Sequence, residues 1–279
     1  MVKRKVNLAL VATFTITCLI PKLVSADTIG TSTNGSVVEK TIVNNQNVII
    51  TETDYNNILK THPEGYIMNM SQEQYNYLRS LDYSNIKKET KYLETTTNYN
   101  LGTTTERELT ESEYNNINED NVYSINGNTN YIETTYKKLT LSVSTPSSTD
   151  HNFTLTCNWK IAPAVRSFDV MGIRFHNYRV VGGSQSGMQT YKVDGKYKAV
   201  TYSPTGTNIK VLDNGYGISM NVVDDHVTEL YMTIDGTAVK TSSTSWGIYG
   251  SYQHAKENVS LATSKSYTIG GAGLGSVFV

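Results

Sequence analysis

Apolar positions at the start of the chain are clustered rather than periodic. Val6 to Ile20 is apolar apart from small polar residues, Lys3, Arg4 and Lys5 precede it, and Pro21 and Lys22 end it. Val24-Ser25-Ala26 then supplies the small-x-small pattern that an export protease cuts, so residues 1–26 are expected to be a cleavable signal peptide and Asp27 the first mature residue. The run falls short of the roughly 18 residues of a spanning helix, which argues against an uncleaved anchor. Cys18 follows Thr15-Ile16-Thr17, where a lipidation site needs an apolar and then a small residue. Residues 27–46 are rich in Gly, Ser, Thr and Asn without periodicity and are expected to form a flexible leader.

Residues 47–138 carry a second pattern, a duplication. Ser71 to Leu78 recurs as Thr110 to Ile117, and Tyr92 to Thr96 recurs as Tyr131 to Thr135, both at an offset of 39 residues. A partial copy runs from Thr51 to Ile58. The pairs Ser71/Gln74, Thr110/Glu113 and Thr51/Asp54 have N-cap and N3 spacing. A hydroxyl there accepts from the N3 amide, and a long N3 side chain reaches back; Asp54 is short for the return bond. Each unit therefore predicts a short helix with Tyr and Leu or Ile on one face, then a Thr-rich strand opened by Tyr92 or Tyr131. A turn at Asn126-Gly127 is expected in the second copy. The expectation is a small α+β region whose tyrosines are core residues.

From residue 139 the period is two. Leu139, Leu141 and Val143 alternate, as do Phe153, Leu155, Cys157 and Trp159. Phe168 and Val170 alternate, then Ile173 and Phe175 on the other parity, which suggests a bulge at Met171-Gly172. Ile218, Met220 and Val222, then Leu230, Met232 and Ile234, continue the pattern. Trp246 with Ile248 and Tyr252, and Tyr267 with Ile269, suggest two more strands. Asp194-Gly195, Asn214-Gly215 and Asp235-Gly236 are strong hairpin signals. The fold class expected is mostly β: an antiparallel β-sandwich or jelly-roll over 139–279 behind the α+β region, with a strand from Tyr131 to Val143 serving both.

Composition narrows the partners. Without the signal, 20 basic and 25 acidic residues leave a formal charge of −5. Residues 27–140 hold 16 acids and 9 bases, and residues 141–279 hold 9 acids and 11 bases. Neither half suits a phosphate backbone, so nucleic acid is not an expected partner. No later segment is apolar enough to span a membrane, and the C-terminal Ser276-Val277-Phe278-Val279 carries no wall-sorting motif. Cys157 alone remains, so no internal disulfide can form and the fold must rest on its core. Tyr, at 20 residues against 5 Phe, joins abundant Asn, Ser and Thr in a palette suited to half-buried extracellular strands.

The signal peptide, the repeated Tyr-Asn and Tyr-Φ-Glu-Thr-Thr segments, Cys157-Asn158-Trp159 and Tyr252-Gln253-His254-Ala255 together resemble a group of secreted proteins of low-GC Gram-positive bacteria. No activity is attached to that group, so the resemblance implies no site residues.

Catalytic patterns are sparse. Histidines 62, 151, 176, 226 and 254 include no pair four apart, so there is no His-Glu-x-x-His helix. Asp224, Asp225, His226 and Glu229 form the one candidate metal-ligand cluster, although they lie between two strands, where a charged loop is the ordinary explanation. Asn126 to Asn130 lacks the central Gly and terminal Glu of an EF-hand. Cys157 lies on an inward strand parity, as a buried thiol would. Gly183 to Gly187 has Gln185 where a nucleophile elbow needs Ser, and Gly270 to Gly275 misses a dinucleotide fingerprint. Asp169, Asp194, Glu229 and Asp235 qualify as glycosidase acids only by charge. No cofactor is expected. The reading is a secreted non-enzymatic binding protein for a carbohydrate, a cell-wall polymer or a surface protein. The alternatives are a secreted glycan or cell-wall hydrolase and a membrane-active, bacteriocin-like toxin.

Overall fold

The computed structural model describes residues 39–117 and 132–253, less positions 146, 148, 162, 164–167, 205, 207, 213, 224–226 and 243–246. The fold is mostly β, antiparallel and sandwich-like, with a few short helices. In chain order the elements are β1 (Thr41–Val43), β2 (Ile49–Thr51), α1 (Glu52–Ile58), α2 (Glu64–Ile67), α3 (Gln72–Arg79), β3 (Ile86–Asn98), β4 (Thr103–Leu109) and α4 (Glu111–Asn115). Then follow β5 (Ile132–Ser144), β6 (Asp150–Ile161), β7 (Phe168–His176), β8 (Tyr178–Val180), β9 (Ser186–Val193) and β10 (Lys196–Tyr202). The last are β11 (Ile209–Leu212), β12 (Gly215–Asn221), β13 (Glu229–Lys240) and β14 (Gly247–Gln253).

Two sheets face one another. The large one has the order β10-β9-β13-β6-β5-β3-β4, with β8 also paired to β13, and the small one runs β11-β12-β7-β14. Leu141, Leu155, Met232 and Ile234 of the large sheet pack against Met171, Ile173, Ile218, Met220 and Ile248 of the small one, all fully buried. Period-two alternation aims them at one face, and each contributes about 1.5–3 kcal/mol on burial. The expected core residues Leu155, Cys157, Trp159, Ile173, Phe175, Ile218, Met220, Leu230, Met232 and Ile234 are all in it. Trp246, Tyr267, Ile269 and the Phe168 side chain lie outside the described residues.

A second core sits on the opposite, outer face of the large sheet. Ile50, Ile58, Tyr66, Ile67, Met70, Tyr75 and Leu78 from β2 and α1–α3 close over Met188 of β9. The helices start where the capping pattern placed them. Ser71 with Gln74 and Thr110 with Glu113 form both bonds of the box, and Thr51 accepts from the Asp54 amide alone.

Several expectations are corrected. The leader expected over 27–46 is ordered at its end, where β1 pairs with β2. Asn44, buried, accepts from the Gln46 and Val48 amides and donates to the Ile67 and Met70 carbonyls. One side chain thus replaces the hydrophobic periodicity that would have marked the segment. The boundary at 138/139 falls inside β5, whose Lys138 and Leu139 both pair with β3 and β6. Tyr92 lies in mid-strand rather than opening β3, and Tyr131 lies outside the described residues, as does Asn126-Gly127.

Asp194-Gly195 is the hairpin turn expected, with φ of 50° and 75°. Near Asn214-Gly215 the turn falls one residue earlier, because Leu212 pairs with Gly215. A Cβ on Gly215 would lie 2.2 Å from the Ile173 carbonyl oxygen, so the glycine serves a close strand approach. Asp235-Gly236 makes no turn at all: both lie within β13, paired with β6, and Gly236 leaves room for the Phe153 ring. No bulge interrupts Met171-Gly172; β7 keeps one parity, with Asp169, Met171 and Ile173 inward. The register shift is instead between β5 and β6, where Tyr136 pairs with Ile161 and Lys137 with Trp159, so that Lys160 is skipped.

Candidate functional site

The candidate site grows from the outer face of the large sheet, where strand register sets polar side chains in ranks. One rank is Thr90, Thr140, Thr156 and Thr233, on β3, β5, β6 and β13 in turn. Neighbouring strands lie about 4.8 Å apart, so the hydroxyls form a regular row. The rank on one side is Lys88, Ser142, Thr154 and Asp235, and on the other Tyr92, Lys138, Asn158 and Tyr231. The Thr90 and Thr140 hydroxyls are 3.3 Å apart. Ser142 Oγ, Thr156 Oγ1 and Thr233 Oγ1 are buried beneath the face without a hydrogen-bond partner.

Helices bound this strip at both ends. The Tyr66 hydroxyl of α2 donates to Asp235 Oδ2 at 2.9 Å, and Tyr77 of α3 donates to Asn152 Oδ1 at 2.9 Å, which seats the helical layer over β9, β13 and the start of β6. At the other end Lys160 Nζ donates to the Tyr114 and Asn115 carbonyls of α4, and the Tyr114 ring lies 4.9 Å from that of Tyr92. Thr90, Thr140, Thr156, Asn158, Lys138, Tyr92 and Tyr231 remain half-buried between them, and Lys60 and Lys88 are exposed. Burial raises both the Tyr92 and Tyr231 pKa to about 12, so their hydroxyls remain donors at neutral pH. Desolvation against the sheet, then the charges of Lys138 and Lys60, lower the Lys88 pKa.

The residues singled out by sequence go elsewhere. Asp224, Asp225 and His226 lie outside the described residues, as do His254 and the glycines from 270 onward. Glu229 accepts from Lys192 Nζ at 3.0 Å and from the Tyr197 hydroxyl at 2.9 Å. Its carboxylate and Glu64 raise the Tyr197 pKa further above the burial shift. Among the described residues no three His, Cys, Asp or Glu converge as a metal would require. Cys157 is fully buried and its thiol is pushed well up by desolvation, which keeps it protonated and unreactive.

Two buried polar networks resemble catalytic sites in composition only. Asp235 accepts from Tyr66 and from Ser186 Oγ at 2.7 Å, with His62 Nε2 at 3.7 Å. Because Ser186 bonds to the carboxylate and not to the imidazole, the histidine activates no nucleophile. At the far end of the sandwich Lys137, 3% exposed, donates to Thr95 Oγ1 and Glu106 Oε2 at 2.8 Å each beneath the rings of Tyr252 and Trp159. Tyr252 donates to the buried Asp169. These bonds tie β3, β4, β5, β7 and β14 together.

The ranked face was missed from sequence because it depends on register between strands some fifty residues apart. The visible signal was the alternation of Lys88, Thr90 and Tyr92 with that of Lys138, Thr140 and Ser142. The chain matches no known protein family, and no curated protein matches it. Among the described residues no helix is long and apolar enough to cross a membrane.

Proposed function

We propose that this is an exported, non-catalytic binding protein that holds a hydroxyl-rich extracellular polymer, a glycan or polyol, on the outer face of its large sheet. The observation that carries the reading is the in-register hydroxyl pair Thr90–Thr140, flanked by Asn158, Tyr92 and Tyr231. Threonine hydroxyls donate and accept, as sugar hydroxyls do, and tyrosine rings offer flat apolar faces to sugar rings. Strand pairing holds the row rigid, so little side-chain entropy is lost on binding. A direct hydrogen bond contributes about 0.5–1.5 kcal/mol net, so a few contacts give weak affinity per site. A repeating polymer raises the apparent affinity through many equivalent placements.

The test removes hydroxyls without removing shape. Thr90→Val and Thr140→Val keep the β-branched outline, and the double variant is expected to lose about tenfold in retention on the polysaccharide that retains the parent, as two lost hydrogen bonds imply. Affinity electrophoresis through neutral and charged polysaccharides measures this, with thermal unfolding to check the fold. Failure of the parent to bind any polymer, or equal binding by the double variant, overturns the reading.

A further inference from the structure

Four of the nine basic residues between positions 27 and 140 form ion pairs. Arg79 pairs with Asp54, Lys91 with Glu108, Arg107 with Glu94 and Glu113, and Lys137 with Glu106. Lys60, Lys88 and Lys138 form none, and Lys138 Nζ lies instead 5.5 Å from the centre of the Tyr92 ring. Among the described residues neither Lys88 nor Lys138 has a carboxylate within 4.0 Å, and Lys60 Nζ donates to the Asn57 amide oxygen at 2.8 Å. Desolvation, and then the charges of Lys138 and Lys60, disfavour the charge on Lys88. Like charges gathered on a net acidic chain are repulsive, and a bound anion would relieve that repulsion.

Register gives the gathering a shape. Lys88 and Lys138 lie on adjacent strands and the same face, one rank to either side of the Thr90–Thr140 pair. Two lysines thus stand diagonally across the two threonines. Opposite Lys88 lies Ser142, 2% exposed, whose hydroxyl has no partner. Lys60 adds a third cation from the segment after α1. Glu111, beside Tyr92, is taken up by the Tyr92 hydroxyl at 2.8 Å.

We propose that the polymer is anionic, and that Lys88, Lys138 and Lys60 hold one of its phosphate, sulfate or carboxylate groups over the Thr90 and Thr140 hydroxyls. This rests on the polymer-binding reading above. The lysines supply charge-assisted hydrogen bonds, roughly twice as strong as neutral ones, and the threonines supply neutral donors to the remaining oxygens.

The test compares one backbone in several charge states: dextran, carboxymethyl-dextran, dextran sulfate and phosphorylated dextran, each titrated with the full mature chain at low and high salt. At least one charged form is expected to bind ten or more times tighter than dextran at low ionic strength, and the three forms distinguish which anion fits. That advantage should shrink as salt screens the site. Lys88→Gln/Lys138→Gln should abolish the advantage of the charged forms over dextran. Lys196→Gln/Lys198→Gln, on the exposed strand β10, serves as the control for non-specific attraction and should change nothing. Equal binding of charged and neutral forms overturns the anion site while the polymer reading stands. Tight binding of a charged form that survives the Lys88/Lys138 change, or is lost equally with the Lys196/Lys198 change, overturns the assigned residues. If no dextran form and no other polymer binds the parent chain, both readings fall. Unchanged thermal unfolding excludes misfolding as the cause.

Discussion

His151 sits at the opposite end of β6 from Trp159, fully buried, with its ring edge-on to Tyr178 at 5.1 Å between centroids. Neither ring nitrogen reaches a hydrogen-bond partner of normal geometry. Desolvation, with Lys240 nearby, lowers its pKa to about 4, and Asp150 and Lys87 also face it with opposing effects. The folded-state value lies below the unfolded value near 6.5, so the folded protein takes up the proton less readily than the unfolded chain. Stability is therefore unaffected above pH 6.5 and falls as pH drops from there to about 4, by up to about 3 kcal/mol. Thermal midpoints measured from pH 7 to pH 4 should decline, and His151→Phe should flatten that decline. An unchanged slope in the variant would assign the acid sensitivity to other groups.

At the scale of elements, one capping motif serves two different destinations. In α3 it delivers Tyr75 into the helical core, where its hydroxyl donates to Asp54 at 2.5 Å. In α4 it delivers Tyr114 onto Tyr92 at the edge of the candidate site. The caps are local and the packing is not, so the same substitution should have different reach. Ser71→Ala and Thr110→Ala should each cost about 1 kcal/mol of helix stability. The Ser71 change should lower the global midpoint by a few degrees, because α3 belongs to the core. The Thr110 change should leave that midpoint within a degree and appear as faster amide exchange in α4, because α4 closes no core of its own. Equal global losses would show that α4 carries more of the fold than its packing suggests. The duplicated strand segments also meet: Thr95 pairs with Thr135 and Thr96 with Thr134, so the two copies are neighbours in the same sheet.

For the whole molecule, the decisive strand is β5. All 13 residues of β3 pair with it, and β6 pairs along its other edge. Leu93 of β3 joins the sandwich core, and the helical core closes on Met188 of β9. Residues 139–279 expressed alone would lack β3, β4, half of β5 and the helical layer, leaving a long strand edge and the apolar Met188 uncovered. That fragment is expected to show no cooperative thermal transition, whereas residues 39–279 should unfold in one. A sharp transition in the shorter fragment would restore the boundary at 139.

The sequence by itself determined what depends on residues close together in the chain. Three helix N-caps rest on contacts three residues apart, the Asp194-Gly195 turn on two adjacent left-handed positions, and the inward row of Leu139, Leu141 and Val143 on alternation within one strand. Tertiary structure alone decided the rest. Asp235-Gly236 carries a strong local turn signal, yet pairing on both sides, to β6 and to β9, outweighs a preference of about 1 kcal/mol. Asp169 points inward because β7 keeps its parity between two partners. The meeting of Lys88, Thr90, Thr140 and Lys138 follows from a register between strands some fifty residues apart, and a slip of one residue would turn one pair to the other face. Register is set by the total burial of both faces, a sum over the whole sheet that no window of sequence contains.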